Sequence, residues 1–212
     1  MDYRTPQEEF WAGQFGSEYV ARNRDQKLLG PKMRLFSQVL GLTRDVKSVF
    51  EIGPGVGLNL QAIQSILPDI ELNAIEINRS AYKDLAWLIG GRAVHGSILD
   101  FDAAGQFDFV FTCGLLIHIH PDSLPAVYDA MHAMARRYIF ISEYYNPTPM
   151  EISRRGQAGR VSKRDFCGDF LDRFSDLELV DYGFIYRREP VFPQDPVFPQ
   201  DDCAWFLMRK RP

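Results

Sequence analysis

The chain has 212 residues, of which 46% are hydrophobic and 25% are charged, and its formal net charge at pH 7 is −4. This composition predicts a packed globular protein of one-domain length and excludes a disordered chain. The acidic balance argues against a nucleic-acid-binding protein, for which a basic surface is expected.

The cysteines and the apolar runs indicate the cellular setting that we expect. Cys113, Cys167 and Cys203 form no CxxC pair and no zinc-ligand spacing, so the sequence predicts reduced thiols and no metal site. The apolar runs are far shorter than the roughly 20 residues of a membrane span. The polar start MDYRTPQEEF also lacks the apolar core of a signal peptide, and we therefore expect a cytoplasmic protein without a membrane partner.

Aromatic residues recur at roughly helical spacing in the first thirty residues, at Phe10, Trp11, Phe15 and Tyr19. Two interpretations stay open, namely a helix docked on the core and a flap over a ligand. Gly13 and Gly16 disfavour a rigid helix in this segment.

Predicted strands and helices then alternate along most of the chain. A helix over 31–41 precedes a short apolar strand at VKSVFEIG. Further strands are predicted at ELNAIEIN, RAVHGSILDF, FDFVFTCGLLI and RYIFISEYY, and further helices at LNLQAIQSIL, SAYKDLAWLIG and SLPAVYDAMHAMA. This alternation is typical of a doubly wound α/β fold, in which a parallel sheet carries helices on both faces.

The pattern changes after residue 145. Residues 146–164 are basic and loop-like, and RDFCGDFLDRF favours a short helix. Two strands without a helix between them, at LELVDYGFIYRR and CAWFLMRK, predict an antiparallel pair that closes the sheet edge. Their connection contains PVFPQD twice, at 190–195 and 196–201, which we interpret as an exposed loop because proline cannot donate to a β-ladder.

A glycine cluster, EIGPGVG at 51–57, lies between the first predicted strand and the next helix. Glycine lets the backbone turn tightly and approach a ligand closely, here at Gly53, Gly55 and Gly57. The spacing differs from the GxGxxG of dinucleotide sites because the third glycine comes one residue early. Since Glu51 would repel a phosphate but attract an ammonium group, the cluster favours an amino-acid-bearing nucleoside over NAD.

Two further signals follow the second and third predicted strands. Glu76 ends the second strand, where an acid can accept hydrogen bonds from both hydroxyls of a ribose; a solvated carboxylate is the alternative. After the third strand, Ile98 and Leu99 could pack on a purine face and Asp100 could accept a hydrogen bond from an exocyclic amine. A turn-forming aspartate is the alternative interpretation of Asp100.

These signals together resemble the class I S-adenosylmethionine-dependent methyltransferases, through ExGxGxG at 51–57, Glu76, SILDF at 97–101 and FDFVFTCGLLIHI at 107–119. The resemblance implies a Rossmann-like, mostly parallel seven-stranded sheet in the order 3-2-1-4-5-7-6, with the last strand antiparallel. It implies S-adenosylmethionine as cofactor, bound at the carboxyl ends of the first strands under an N-terminal lid. The predicted cofactor-binding residues are Glu51, Gly53, Gly55, Gly57, Asn59, Glu76, Ile77, Ser97, Ile98, Leu99, Asp100, Cys113, Trp11 and Tyr19.

A narrower resemblance extends over nearly the whole chain. QEEFWAGQFGSEYVARN, LLIHIHPDSLPAVYD, ISEYYNPTP and FPQDDCAWFL are similar to segments of the methylases associated with pseudaminic acid biosynthesis. It implies a small anionic acceptor, namely a sialic-acid-like nonulosonic sugar of the pseudaminic or legionaminic acid type or its nucleotide-activated form, methylated at oxygen or nitrogen. The alternatives are a methyltransferase for another small metabolite and a non-catalytic cofactor-binding protein.

Candidate catalytic groups follow the fourth and fifth predicted strands. Methyl transfer to a hydroxyl needs a group that removes a proton, and a histidine side chain such as His118 is the usual choice near neutral pH. A structural histidine that caps the next turn is the alternative. Glu143, at the end of the fifth strand, is the second candidate base.

The predicted acceptor site lies on the same edge of the sheet. Tyr144, Tyr145 and Asn146 follow Glu143 directly and could contact a sugar. A run of cations contains Arg154 and Arg155, whose guanidinium groups match carboxylates and phosphates; a solvated loop is the alternative. We therefore expect one domain over 1–212, with a lid at 1–30, a cofactor-binding core at 31–145 and an acceptor side at 146–212.

Overall fold

The computed structural model describes residues 3–22, 24, 26–102, 106–154, 157–186 and 202–211; at 26, 152–154 and 157–160 it describes the backbone alone. The duplicated PVFPQD segment at 190–201 lies outside these residues. Among the helices within the described ranges, none combines the length and the apolar character needed to cross a bilayer.

Seven strands form one sheet: β1 (Ser48–Ile52), β2 (Glu71–Glu76), β3 (Ala93–His95), β4 (Phe107–Cys113), β5 (Ala135–Glu143), β8 (Leu177–Ile185) and β9 (Cys203–Lys210). Their order is β3-β2-β1-β4-β5-β9-β8. The first five strands in this order are parallel, and β9 is antiparallel to both β5 and β8. Two strands that lie between β5 and β8 in the chain are not part of this sheet, so β8 and β9 are its sixth and seventh strands. The order therefore equals the predicted 3-2-1-4-5-7-6, and the antiparallel last strand is also confirmed.

The helices cover both faces of the sheet and its carboxyl edge. They are α1 (Pro6–Ala12), α2 (Gln14–Arg22), α3 (Leu29–Gly41), α4 (Leu58–Ile66), α5 (Arg79–Ile89), α6 (Leu124–Met134) and α7 (Phe166–Arg173). Short 3₁₀ turns lie at Gln26–Leu28, Gly90–Arg92, Leu116–His118 and Pro121–Ser123. The predicted doubly wound α/β architecture is thus confirmed.

Each face of the sheet buries its own apolar cluster. On one face, α3, α4 and α5 contribute Phe36, Leu60 and Leu85, which pack against Phe109 and Phe140 of the sheet. On the other face, α6 and α7 pack against the alternate residues of the same strands, with Val127, Met131, Phe170, Val110 and Ile139 all fully buried. The predominantly apolar sequence of β4 follows from this burial on both faces.

The prediction of a loop over 146–164 is wrong. Two strands, β6 (Met150–Arg154) and β7 (Gln157–Lys163), form a separate antiparallel hairpin in which Ile152 is paired with Val161. Val161 is buried in the cluster beneath α6 and α7, and β7 contacts the 3₁₀ turn Leu116–His118. Tertiary packing of β7 therefore stabilises a strand that its basic, glycine-containing sequence does not indicate.

The N-terminal segment contains two helices where one lid helix is predicted. Gly13 terminates α1, and α2 begins at the next residue. The start of α1 is fixed by a capping box, in which the Thr5 hydroxyl accepts the Glu8 amide and the Glu8 carboxylate accepts the Thr5 amide. The break lets aromatic residues of both helices turn towards the carboxyl edge of the sheet.

Candidate active site

The candidate site is a cleft at the carboxyl edge of the sheet, beside the junction of β1 and β4. The strand order reverses at this junction, and ligands of open α/β sheets bind at such switch points. Two adjoining cavities, of about 210 and about 60 Å³, occupy the cleft. Both are lined by Trp11, Gly53, Ile77, Leu115 and His118, so they form one continuous site.

The glycine loop follows β1 and forms one wall of the larger cavity. Its three glycines have φ angles of +67°, +58° and +80°, in the left-handed region that only glycine adopts readily. A Cβ at Gly53 would lie 2.9 Å from the Leu115 side chain, whereas at Gly55 it would meet no atom within 4 Å. Gly55 therefore presents an open backbone surface, and Gly57 directly precedes α4.

Glu51 lies at the base of this wall and is fully buried. One carboxylate oxygen accepts a 2.6 Å hydrogen bond from the side-chain amide of Asn59. The side-chain oxygen of Asn59 in turn accepts a 2.7 Å hydrogen bond from Lys32 Nζ. The second carboxylate oxygen is buried without a hydrogen-bond partner in the protein. Burial raises the pKa of Glu51 to about 8, while Asn59 and Lys32 act in the opposite direction. Asn59 and Lys32 line the larger cavity together with Cys113.

Glu76 connects the glycine loop with the start of α5. Its carboxylate accepts hydrogen bonds from two backbone amides, that of Gly55 at 2.9 Å and that of Asn78 at 2.7 Å. The side chain is buried and lines the larger cavity beside Ile77, and burial raises the pKa of Glu76. The carboxylate thus faces the cleft from a fixed position, which a solvated strand-end residue would not hold.

The segment after β3 lines the smaller cavity with Ser97, Ile98 and Leu99. The Ser97 hydroxyl donates to the Glu8 carboxylate, which joins this segment to α1. Asp100 forms an ion pair with Arg4, remains about half exposed and does not line either cavity.

The N-terminal helices cover the cleft. Trp11 packs against His118, with ring centroids 4.4 Å apart, and against Tyr19 at 5.2 Å. The Asn78 side chain donates to the backbone oxygen of Trp11 at 3.0 Å and to the Ser17 hydroxyl at 3.2 Å. The helices are therefore anchored on the same residues that surround the site, and Trp11 and Tyr19 line it.

The two candidate bases occupy different environments. His118 lines both cavities at the end of a 3₁₀ turn. Glu143 is buried beneath that turn, where one carboxylate oxygen accepts the amides of Leu115 and Leu116 at 2.9 and 3.0 Å. Burial raises the pKa of Glu143 to about 7. Glu143 thus fixes the loop that carries His118.

The predicted acceptor residues lie outside the two cavities. Tyr144 is buried, with Lys163 Nζ 5.2 Å above its ring. Tyr145 is partly exposed, and its ring centroid lies 6.1 Å from that of Phe206. Asn146 donates to the Thr148 carbonyl at 2.6 Å and so shapes the turn before β6.

The predicted cationic run is only partly described. Arg154 is the last residue of β6, whose backbone alone is described there, and Arg155 lies outside the described residues. Nearby, Arg164 forms an ion pair with Asp169 at 2.8 Å, which joins the end of the hairpin to α7.

Lys32, Asn78 and Leu115 are among the site residues that sequence reasoning missed. Lys32 belongs to no recognisable sequence motif, because a lysine on the polar side of an amphipathic helix is ordinary. Asn78 has a recognisable signal, since asparagine two residues after a strand-end acid is a good helix N-cap. Leu115 lines both cavities but belongs to an apolar run that the sequence assigns to a strand.

No protein-family model matches the sequence, and a search of curated proteins finds no match. Solved structures do match. The 1,6-didemethyltoxoflavin-N1-methyltransferase of Burkholderia thailandensis, solved with S-adenosylhomocysteine, has a TM-score of 0.65 and 19% identity, covering 100% of this chain and 94% of that one. The plantazolicin methyltransferase BpumL, solved with S-adenosylhomocysteine, has a TM-score of 0.67 and 13% identity, and the match covers 97% of this chain and 94% of that one. CalS10 of Micromonospora echinaspora, an amino pentose methyltransferase solved with S-adenosylmethionine, has a TM-score of 0.62 and 12% identity. That match covers 92% of this chain and 96% of the other. The chain therefore has the Rossmann-like methyltransferase fold.

The position of Glu143 predicts a measurable effect on stability. Glu143→Ala should lower the free energy of unfolding by about 2–4 kcal/mol, because two loop amides lose their acceptor within the protein. Glu143→Gln keeps an acceptor oxygen and should cost about 1 kcal/mol or less. Urea unfolding of both variants measures these changes, and equal losses would contradict the assigned hydrogen bonds.

Proposed function

We propose that this chain catalyses S-adenosylmethionine-dependent methyl transfer to a small anionic acceptor, namely a sialic-acid-like nonulosonic sugar or its nucleotide-activated form, at oxygen or nitrogen. The observation that carries the cofactor assignment is the combination of an open glycine loop with two buried carboxylates, Glu51 and Glu76, at its sides. When bound, S-adenosylmethionine supplies an electrophilic methyl group on its sulfonium. The solved methyltransferases of this fold that contain S-adenosylmethionine or S-adenosylhomocysteine support the same assignment.

The residues around the larger cavity suit the polar parts of this cofactor. The unpartnered oxygen of Glu51 can accept a hydrogen bond from the ammonium group, and its negative charge complements the positive one. Glu76 can accept hydrogen bonds from the ribose hydroxyls while the Gly55 amide holds it in position. Ile77, Ile98 and Leu99 offer an apolar surface to the adenine.

His118 is the proton acceptor that we propose for a hydroxyl or ammonium acceptor group. Its ring lines both cavities and packs against Trp11, and the 3₁₀ turn that carries it contacts β7 of the hairpin that we assign to the acceptor side. We assign Glu143 the role of positioning residue, since the loop amides already occupy one of its oxygens. The N-terminal helices, which cover the cleft, would exclude water from the sulfonium.

The acceptor assignment rests on the narrower sequence resemblance and on the elements beside His118. The hairpin of β6 and β7 packs against the 3₁₀ turn that carries His118, and it contains the predicted anion-binding Arg154. The exposed ring of Tyr145 offers a stacking surface for a sugar. CalS10, with the same fold, is described as an amino pentose methyltransferase, which supports a sugar acceptor.

The raised pKa of Glu51 predicts a pH dependence of cofactor binding. An ammonium group favours the ionised carboxylate, so binding lowers the pKa of Glu51 from about 8 and releases a proton. Affinity for S-adenosylhomocysteine should therefore rise between pH 6 and pH 8, by up to about tenfold per pH unit.

Isothermal titration calorimetry of the wild type and of Glu51→Gln measures this dependence. The variant should bind more weakly at pH 8 and show a nearly flat pH profile. Lys32, Glu76 and Cys113 are the other titratable groups that interact with Glu51. An unchanged slope in Glu51→Gln would assign the proton to one of them and contradict the proposed role of Glu51.

Methyl transfer itself is tested with free and nucleotide-activated pseudaminic and legionaminic acids. We expect release of S-adenosylhomocysteine and a product in which one hydrogen is replaced by a methyl group, detected by mass spectrometry. His118→Ala should lose turnover while keeping cofactor affinity. Absence of turnover on all four compounds, with tight cofactor binding, would overturn the acceptor assignment and favour another small metabolite.

A further inference from the structure

The smaller cavity of the cleft is an apolar slot with a polar residue of α1 at its side. Ile77, Ile98, Leu99 and Leu115 provide the apolar surface, and Gln7 of α1 lines the same cavity. A flat purine base suits a slot of this kind, since its faces are apolar and its edge carries hydrogen-bonding groups.

The position of α1 against this slot is fixed by a network around Glu8. The Ser97 hydroxyl donates to one oxygen of the Glu8 carboxylate. The other oxygen accepts the amides of Arg4 and Thr5, at 2.7 and 3.0 Å. Glu8 is itself buried, so this network joins α1 firmly to the segment after β3. Gln7, the adjacent residue, is thereby held beside the slot.

The side-chain oxygen of Gln7 is buried and has no hydrogen-bond partner in the protein. Buried polar atoms are almost always hydrogen-bonded, so this oxygen indicates a missing donor. Two other polar side chains of the slot already form hydrogen bonds within the protein. The Thr5 hydroxyl accepts one from the Glu8 backbone amide, and His120 Nδ1 accepts one from the Asp122 backbone amide. The Asp100 carboxylate is paired with Arg4 and does not line the slot.

We propose that Gln7 recognises the adenine of the cofactor, with its amide oxygen accepting a hydrogen bond from the exocyclic amine. This inference rests on the proposed function. A carboxamide carries a donor beside its acceptor and can therefore pair with the amine and a neighbouring ring nitrogen of adenine together. Asp100 then acts indirectly, because its ion pair with Arg4 holds the N-terminal end of α1. Base recognition thus comes from the helix that covers the cleft.

The test compares S-adenosylhomocysteine with the analogue that has purine in place of adenine and so lacks only the exocyclic amine. Wild type should bind S-adenosylhomocysteine about 3- to 10-fold more tightly than the analogue, the range of one neutral hydrogen bond. Gln7→Leu should lose this preference, because it weakens binding of S-adenosylhomocysteine more than binding of the analogue, which has no amine for the Gln7 oxygen to accept from. Gln7→Glu, which keeps an acceptor oxygen, should retain a preference.

Gln14→Leu is the matched control, because Gln14 lies on α2 and pairs with Glu18 on the exposed side. It should keep the wild-type preference. If Gln7→Leu keeps the preference, or if Asp100→Asn loses it while Gln7→Leu does not, the proposal is overturned. If wild type binds neither compound, the cofactor assignment itself fails. Tight binding of both compounds by wild type without a preference would overturn the role of Gln7 and leave the cofactor assignment standing.

Discussion

The reversal of strand order between β1 and β4 is the constraint on which the site depends. The chain leaves β1 towards α4 on one face of the sheet and leaves β4 towards α6 on the other face. The two loops therefore diverge and open a cleft between them. Because five parallel strands end at the same edge, the glycine loop, Glu76, Ser97, His118 and Glu143 gather around that cleft although they are distant in sequence.

Buried carboxylates define the polarity of this cleft. Glu51, Glu76 and Glu143 lie at or near the carboxyl ends of β1, β2 and β5, and burial raises the pKa of each. Their hydrogen bonds separate their roles. Glu76 and Glu143 accept backbone amides and so fix loops, whereas Glu51 accepts the side-chain amide of Asn59. Glu51 and Glu143 each keep one buried oxygen without a hydrogen-bond partner among the described residues. In the proposed function, the ammonium group of the cofactor compensates the energetic cost of burying the Glu51 carboxylate.

The parallel part of the sheet was predictable from sequence because each of its five strands is a short, largely apolar run that ends in an acid or is followed by a glycine. The same pattern identified Glu76, which lines the cleft, and Glu51, which is buried behind the lining residue Asn59. The β6–β7 hairpin was not predictable, since it depends on burial of Val161 against a distant cluster rather than on local pattern. Gln7 of α1 and Lys32 of α3 were missed for a related reason: each lines a cavity only because separate elements of the chain come together at the cleft.

Thermal stabilisation by S-adenosylhomocysteine is the measurement that tests the cofactor assignment most directly. A ligand at about 100 times its Kd stabilises the folded state by about 2.7 kcal/mol, so the melting temperature of wild type should rise clearly with S-adenosylhomocysteine and not with NAD. Glu76→Ala should lose most of this shift, while Glu71→Ala, at the exposed opposite end of β2, should keep it. No stabilisation of the wild type, or an equal shift in Glu76→Ala, would contradict the account.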